Sequence, residues 1–285
     1  MWLLRWMSRW PLWLLHALGS TAGVLAWAFS PTYRRRMNEN AALAGYGPGV
    51  VRSAARHAGR LLGELPWLWA RPRQVPLGER VSWEGDALLQ QLRDEGHGVL
   101  LITPHLGCFE VAAQAYAERF GPITVLYRPS RQEILRGVVE TARDRPNIEG
   151  APASLLGVRK MLRALRKKEA VGLLPDQVPP EGLGVWAPFF GREAYTMTLA
   201  TRLLQQTDAR AVVLWADRLP KSRGYVVRVQ PGPEIGPETS PEEAAARINA
   251  AMEALIRQSP QQYLWGYNRY KPPRGVSLEQ LGDGS

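Results

Sequence analysis

The chain has 285 residues, 45% of them hydrophobic and 22% charged. That is enough for about 250 residues of α/β domain once an apolar N-terminus is set aside. No low-complexity tract or repeat of roughly 20 to 50 residues is present, which excludes disordered and solenoid classes. The single cysteine, Cys108, excludes an intrachain disulfide or a multi-cysteine zinc site, and the net charge of +10 implies either a partner of opposite sign or solubility alone.

The first apolar segment is WPLWLLHALGSTAGVLAWAFS, residues 10 to 30, ionisable only at His16 and containing Trp10, Trp13 and Trp27. At helical rise it reaches ~30 Å, about the thickness of a bilayer core. Pro11, His16, Gly19, Ser20 and Thr21 dilute it, and tryptophan favours the interface. Two expectations therefore stand: a membrane anchor, spanning or tilted in the interface, or a helix packed on its own domain. A cleavable signal peptide fits less well, because the run exceeds the usual ~7 to 15 apolar residues. Arg34, Arg35 and Arg36 after the run place the main domain on the cytoplasmic side, an inference weakened by Arg5 and Arg9 before it. The expected organisation is an anchor over residues 1–33, an α/β domain over 34–274 and a flexible tail over 275–285.

Residues 50 to 70 carry apolar side chains at helical spacing, and prolines then break the pattern before a short strand near Val81 to Trp83. GVLLITPH reads as a buried parallel strand and CFEVAAQAYAERF as the helix after it. The same grammar recurs in ITVLYRPS with RQEILRGVVETAR, LLGVRKMLRALRKKEA with VGLLPDQ, and MTLATRLLQQTDA with RAVVLWADRL. GYVVRVQPGP is a further strand, and the helix SPEEAAARINAAMEALIRQS opens on a Ser240 cap with Glu243 three residues on. Alternating strands and helices predict an α/β fold with a central, mostly parallel sheet flanked by helices.

Ligands of such sheets bind outside the carboxyl ends of the strands. His105 and Glu110 follow one predicted strand, Tyr127 and Arg128 end another, and Asp176 and Gln177 end a third. A lone histidine there is compatible with a structural role. The spacing also lets Glu110, in the first turns of the next helix, fold back on the His105 ring, hold its tautomer and leave the other nitrogen free as a base. No histidine or cysteine pair stands at metal-ligand spacing, so no metal is expected, and no G-x-S-x-G elbow follows a strand. Cys108 reads as a packing residue rather than a nucleophile.

HLGCFE resembles the H-x-x-x-x-[D/E] signature of the lysophospholipid acyltransferase superfamily, specifically the bacterial lipid A late acyltransferases. Four further stretches resemble that family's blocks in order: VLYRPS, GLLPDQVPPEGLGVWAPFFGREA, TLATRLLQQTDARAVV and PQQYLWGYNRYKPP. The resemblance runs from residue 1 to about 274. It implies transfer of a fatty acyl chain from acyl carrier protein to a hydroxyl of a glycolipid or lysolipid at the cytoplasmic face of the inner membrane, without a cofactor or a covalent acyl-enzyme. It also implies His105 as base and Glu110 as its orienting acid. Arg128 is expected to bind a phosphate or lend positive potential near the oxyanion, or else to be a surface or ion-paired arginine. Asp176 and Gln177 are expected to position substrate, or to order a turn.

Arg159, Arg163, Arg166 and Lys167 fall on one helical face opposite Leu156, Met161, Leu162 and Leu165, either a solvated face or a surface for acidic lipid, acceptor phosphates or carrier protein. Arg269 and Lys271 beside Tyr263, Trp265, Tyr267 and Tyr270 read as an amphipathic patch or a packing strand with a basic rim. No nucleic-acid module accompanies these charges. The family's middle residues are often polar, so Cys108 is expected to reshape the acceptor pocket. Two other readings stay open: a non-catalytic lipid-binding protein of the same fold, and a thioesterase.

Overall fold

A computed structural model of the chain describes residues 2–127 and 145–275. The strands are β1 (Val81–Glu84), β2 (Val99–Ile102), β3 (Ile123–Tyr127), β4 (Ile148–Pro152), β5 (Ala170–Leu173), β6 (Gly184–Phe189), β7 (Arg192–Met197), β8 (Arg210–Arg218) and β9 (Tyr225–Pro231). One sheet runs in the order β1-β9-β8-β2-β5-β3-β4, while β6 and β7 form a separate antiparallel pair. Every pairing in the large sheet is parallel except β8 with β9.

β2 and β5 are buried at every position, as central parallel strands covered on both faces must be, and their side chains alternate between two cores. Leu100 and Ile102 of β2, Val171 and Leu173 of β5 and Trp215 of β8 enter one core, with Ile248, Met252 and Leu255 of helix α9 (Pro241–Gln258). Val99 and Leu101, Ala170, and Leu214 enter the other, with Val111, Ala115 and Tyr116 of helix α6 (Phe109–Phe120). The predicted α/β class is what is found. Glu243 N–H donates to Ser240 Oγ at 3.2 Å, the anticipated cap of α9. The strand β4, the β6–β7 pair and two helices, α3 (Pro31–Leu43) and α5 (Ala87–Asp94), were not anticipated. The helix expected over 131–143, and the tail expected over 275–285 beyond its first residue, lie outside the described residues.

After a short α1 (Trp2–Met7), α2 (Leu12–Phe29) is long and apolar enough to cross a membrane. It is nevertheless docked on α4 (Pro48–Ala70) through a stripe of Leu12, Leu15, His16, Gly19 and Gly23. A Cβ at Gly59 would collide with the carbonyl oxygen of Gly19, so the two backbones touch because no side chain stands between them. Beside this seam His16 Nε2 lies 2.8 Å from Glu64 Oε1, and His16 Nδ1 2.8 Å from Ser222 Oγ. The carboxylate of Glu64 also accepts from Arg218 Nε at 2.6 Å, Arg218 Nη2 at 2.8 Å and the Tyr225 hydroxyl at 2.9 Å. The opposite face of α2 exposes Trp13, Leu18, Leu25 and Phe29, and α1 exposes Trp2, Leu3 and Trp6.

His57 of α4 lies beside this cluster. Burial first, then the charges of Arg218 and Arg60, lower its pKa from 6.5 to about 3, against the opposing pull of Glu64. Between those two values the unfolded chain binds a proton that the folded protein refuses, so stability falls as the pH falls, by at most about 1.4 kcal/mol per pH unit. Thermal melts of His57→Gln are therefore expected to lose less Tm than the parent on going from neutral to mildly acidic pH. Equal slopes would refute the assignment.

Candidate active site

β2 and β5 are neighbours with Ile102 opposite Leu173, and three residues beyond each lie His105 and Asp176. Equal offsets from a shared register bring the two side chains face to face. His105 Nδ1 is 2.6 Å from Asp176 Oδ1, and the His105 backbone N–H donates to Oδ2 at 2.8 Å. A carboxylate only accepts, so Nδ1 carries the ring hydrogen and Nε2 presents its lone pair. The Gln177 amide nitrogen stands 3.1 Å from Nε2 and donates to it. Asp176 is 2% exposed. Burial alone would raise its pKa, but the His105 charge and hydrogen bonds, aided by the Arg269 charge, hold the carboxyl below its ordinary range.

Glu110 was expected in the place Asp176 takes. It lies in the first turn of α6, where it lines the same cavity, and its Oε2 is 3.5 Å from the Trp69 indole nitrogen. The reason is register: β5 lies beside β2, so the residue three beyond Leu173 meets the residue three beyond Ile102. Arg128 falls outside the described residues, and Tyr127 lines the cavity. Gln177, expected to position substrate, contacts the ring itself.

The loop between His105 and α6 is clamped from behind. Gly107 has φ +59, and a Cβ there would strike the carbonyl oxygen of Ala216, so the signature needs glycine at this position. Cys108 N–H donates to Ala216 O at 2.9 Å, Gly107 N–H to Gln262 O at 3.2 Å and Leu264 N–H to His105 O at 3.1 Å. The C-terminal block is thus a scaffold for the histidine loop. Arg269, read as part of a patch or rim, is instead 2% exposed and donates to Tyr195 O at 2.7 Å and Thr196 Oγ1 at 2.6 Å. Cys108 does not shape the pocket as expected. It is wholly buried beside Glu64, and burial, then the Glu64 charge, push its thiol well above the ordinary range.

A cavity of about 790 Å³ opens in front of His105, within the ~300–1,000 Å³ range of ligand sites. Its floor is sheet, with Leu101, Ile123, Val125 and Gly172, and its wall is α6, with Phe109, Ala112 and Ala113. The Phe109 ring meets His105 edge to face at 5.0 Å. Arg202 and Arg274 add positive charge to the lining. Leu155 of helix α7 (Leu155–Arg166) also lines it and is exposed, as is its neighbour Leu156, which was expected on the apolar face; Met161 and Leu165 of that face are buried as expected, with Gly157 and Ala164 beside them. Among the described residues no group of three or more His, Cys, Asp or Glu side chains is placed to hold a metal ion.

The family model described as "Bacterial lipid A biosynthesis acyltransferase" matches residues 47–272. The chain is 28% identical over 218 residues to the lipid A biosynthesis lauroyltransferase of Escherichia coli K12, covering 74% of this chain and 68% of that protein. It is also 28% identical over 208 residues to the lipid A biosynthesis palmitoleoyltransferase of the same organism, covering 73% and 66%. With the myristoyltransferase it shares 23% identity over 186 residues, covering 65% and 57%. The matched segment thus spans about two thirds or less of each of these relatives.

Proposed function

The chain belongs to the bacterial lipid A biosynthesis acyltransferase family, and from that premise we propose that it transfers a fatty acyl chain from the thioester of acyl carrier protein to a hydroxyl of a lipid A precursor. The observation that carries the reading is the pair of His105 and Asp176, with His105 lining an apolar cavity and its Nε2 facing the lining residue Gln177.

The chemistry follows from the tautomer. An acceptor hydroxyl takes the place of the Gln177 amide on Nε2 and gives that nitrogen its proton as its oxygen attacks the thioester carbonyl. Asp176 stabilises the imidazolium that forms. The tetrahedral oxyanion collapses, the C–S bond breaks, and the departing thiolate takes the proton back from Nε2. Arg202 and Arg274 supply positive charge for acceptor phosphates, the role that the resemblance suggests for Arg128. The apolar lining receives the acyl chain, and Glu110 acts at the acceptor side of the same cavity.

A membrane location suits these substrates. The exposed tryptophans and leucines of α1 and α2 form an apolar face flanked by Arg5, Arg9 and Arg34 to Arg36, and we place that face in the cytoplasmic leaflet of the inner membrane. The relatives' names carry three different acyl groups, so none is carried over to this chain.

The test incubates detergent-solubilised protein with acyl carrier protein charged with C10 to C18 chains and a lipid A precursor, read by mass spectrometry, beside His105→Ala. Wild type is expected to add one acyl mass and the variant to fall by at least ~100-fold while remaining folded. Free fatty acid that added acceptor does not suppress would point to a thioesterase. No turnover by folded wild type would leave a binding protein.

A further inference from the structure

The sheet face that floors the cavity has a gap at its centre. Strand alternation sends Val171 and Leu173 to the core that packs on α9, and Ala170 and Gly172 to the face covered by α6. On that face Gly172 stands opposite Leu101 on one side and Val125 on the other, and all three line the cavity. Any side chain at residue 172 would occupy cavity space that is now open.

Room exists for one. A Cβ at Gly172 would meet Ile123 Cδ1 at 3.4 Å and Val125 Cγ2 at 3.7 Å, ordinary contacts with side-chain termini and none with backbone. The other floor glycine differs: at Gly150 a Cβ would approach the Tyr127 ring to 2.9 Å. No positive φ requires glycine at 172. What its lack of a side chain provides is depth. Gly172 is in register with Leu101, four residues before His105 along β2 and the loop after it, so it lies at most ~13 Å from the histidine, deeper along the sheet than the ring. The facing α6 residues, Ala112 and Ala113, are also small.

We propose that Gly172 sets how long an acyl chain the site accepts, the gap between Leu101 and Val125 receiving the end of the chain. This rests on the acyltransferase reading only in identifying the occupant as an acyl chain. The test is the series Gly172→Ala, Gly172→Val and Gly172→Leu in the full-length solubilised protein, with two readouts. The first is transfer from C10 to C18 acyl carrier protein in competition. The second is binding of free C10 to C18 fatty acids, which needs no turnover.

Each larger side chain is expected to shift both optima to shorter chains. Affinity for the longest chains should fall about fourfold per excluded methylene, while the shortest chains that still fit change less than about threefold. Gly172→Ala, with only ordinary contacts, keeps the series interpretable if the larger variants fail to fold. A parallel loss at all lengths, an unchanged optimum, or no fatty-acid binding by wild type would overturn the assignment. Absent transfer with a length-dependent shift in binding would overturn the acyltransferase reading and leave Gly172 as the depth-setting residue.

Discussion

Asp176→Asn is expected to lower kcat by roughly a thousand- to ten-thousand-fold with little change in KM, because it acts through the ring and not on the substrate. The carboxylate accepts from Nδ1 at 2.6 Å and from the His105 backbone at 2.8 Å, so it fixes both tautomer and ring plane. An asparagine that keeps its oxygen on the backbone N–H turns its amide donor toward Nδ1. The ring hydrogen then moves to Nε2 and no base faces the acceptor. Glu110→Gln is expected to cost much less in kcat and to act on KM for the acceptor, since Glu110 lines the cavity. The discriminating measurement is kcat and KM for both variants, with circular dichroism to show that each is folded. If Glu110→Gln proves the more damaging in kcat, the imidazole must turn in the substrate complex and exchange one carboxylate for the other. The pH dependence of Asp176 has a definite sign. Its folded pKa is depressed, so its contribution to stability is complete above the unfolded carboxyl value and lost as pH falls below it.

The architecture was legible because β2 and β5 are short apolar runs closed by proline, separated by helical patterns, and such alternation leaves few folds to choose from. The location of the site followed from the same strands. The partner of His105 did not. Local spacing favours Glu110, five residues on in the chain, whereas Asp176 is 71 residues away and meets the ring only because β5 lies beside β2 in register. Pairing order is a property of the whole sheet. The signal that was present is that Asp176 stands at the same offset from its strand as His105 does from its own. The glycine at position 107 and the C-terminal block were visible as residues, but the clamp they form depends on Gln262 and Leu264 of that block, and Ala216, meeting the His105 loop from elsewhere in the chain. The buried cluster around Glu64 was missed for a related reason: nothing in the chain near Glu64, on a helix, or near Arg218, at a strand end, shows that the two meet in the interior.

Arg218→Met is expected to destabilise the protein by about 3–5 kcal/mol, because it leaves a wholly buried carboxylate without its cation. For a chain of this size that corresponds to a Tm loss of roughly 6–20 °C. Burial would raise the pKa of Glu64, yet the charge and hydrogen bonds of Arg218, with those of His16, hold it far below the ordinary range. The carboxylate is therefore charged at every pH at which the protein would be assayed. Glu64→Leu should cost a similar amount, since it strands Arg218 and also leaves His16 and Tyr225 without their acceptor. The two changes together should cost less than their sum by at least about 2 kcal/mol, because the double variant buries no lone charge. Urea melts of the four proteins measure that coupling, and additivity would show that the ion pair is solvated in solution. His16 gives the cluster a further consequence. It lies on α2, so losing Glu64 removes one of the polar ties between the apolar N-terminal helix and the domain, while the His16 to Ser222 and Arg60 to Ser20 contacts and the glycine seam remain. Protease cleavage before α4 should then quicken in Glu64→Leu, and in Arg218→Met by a smaller factor, because the His16 to Glu64 contact survives there.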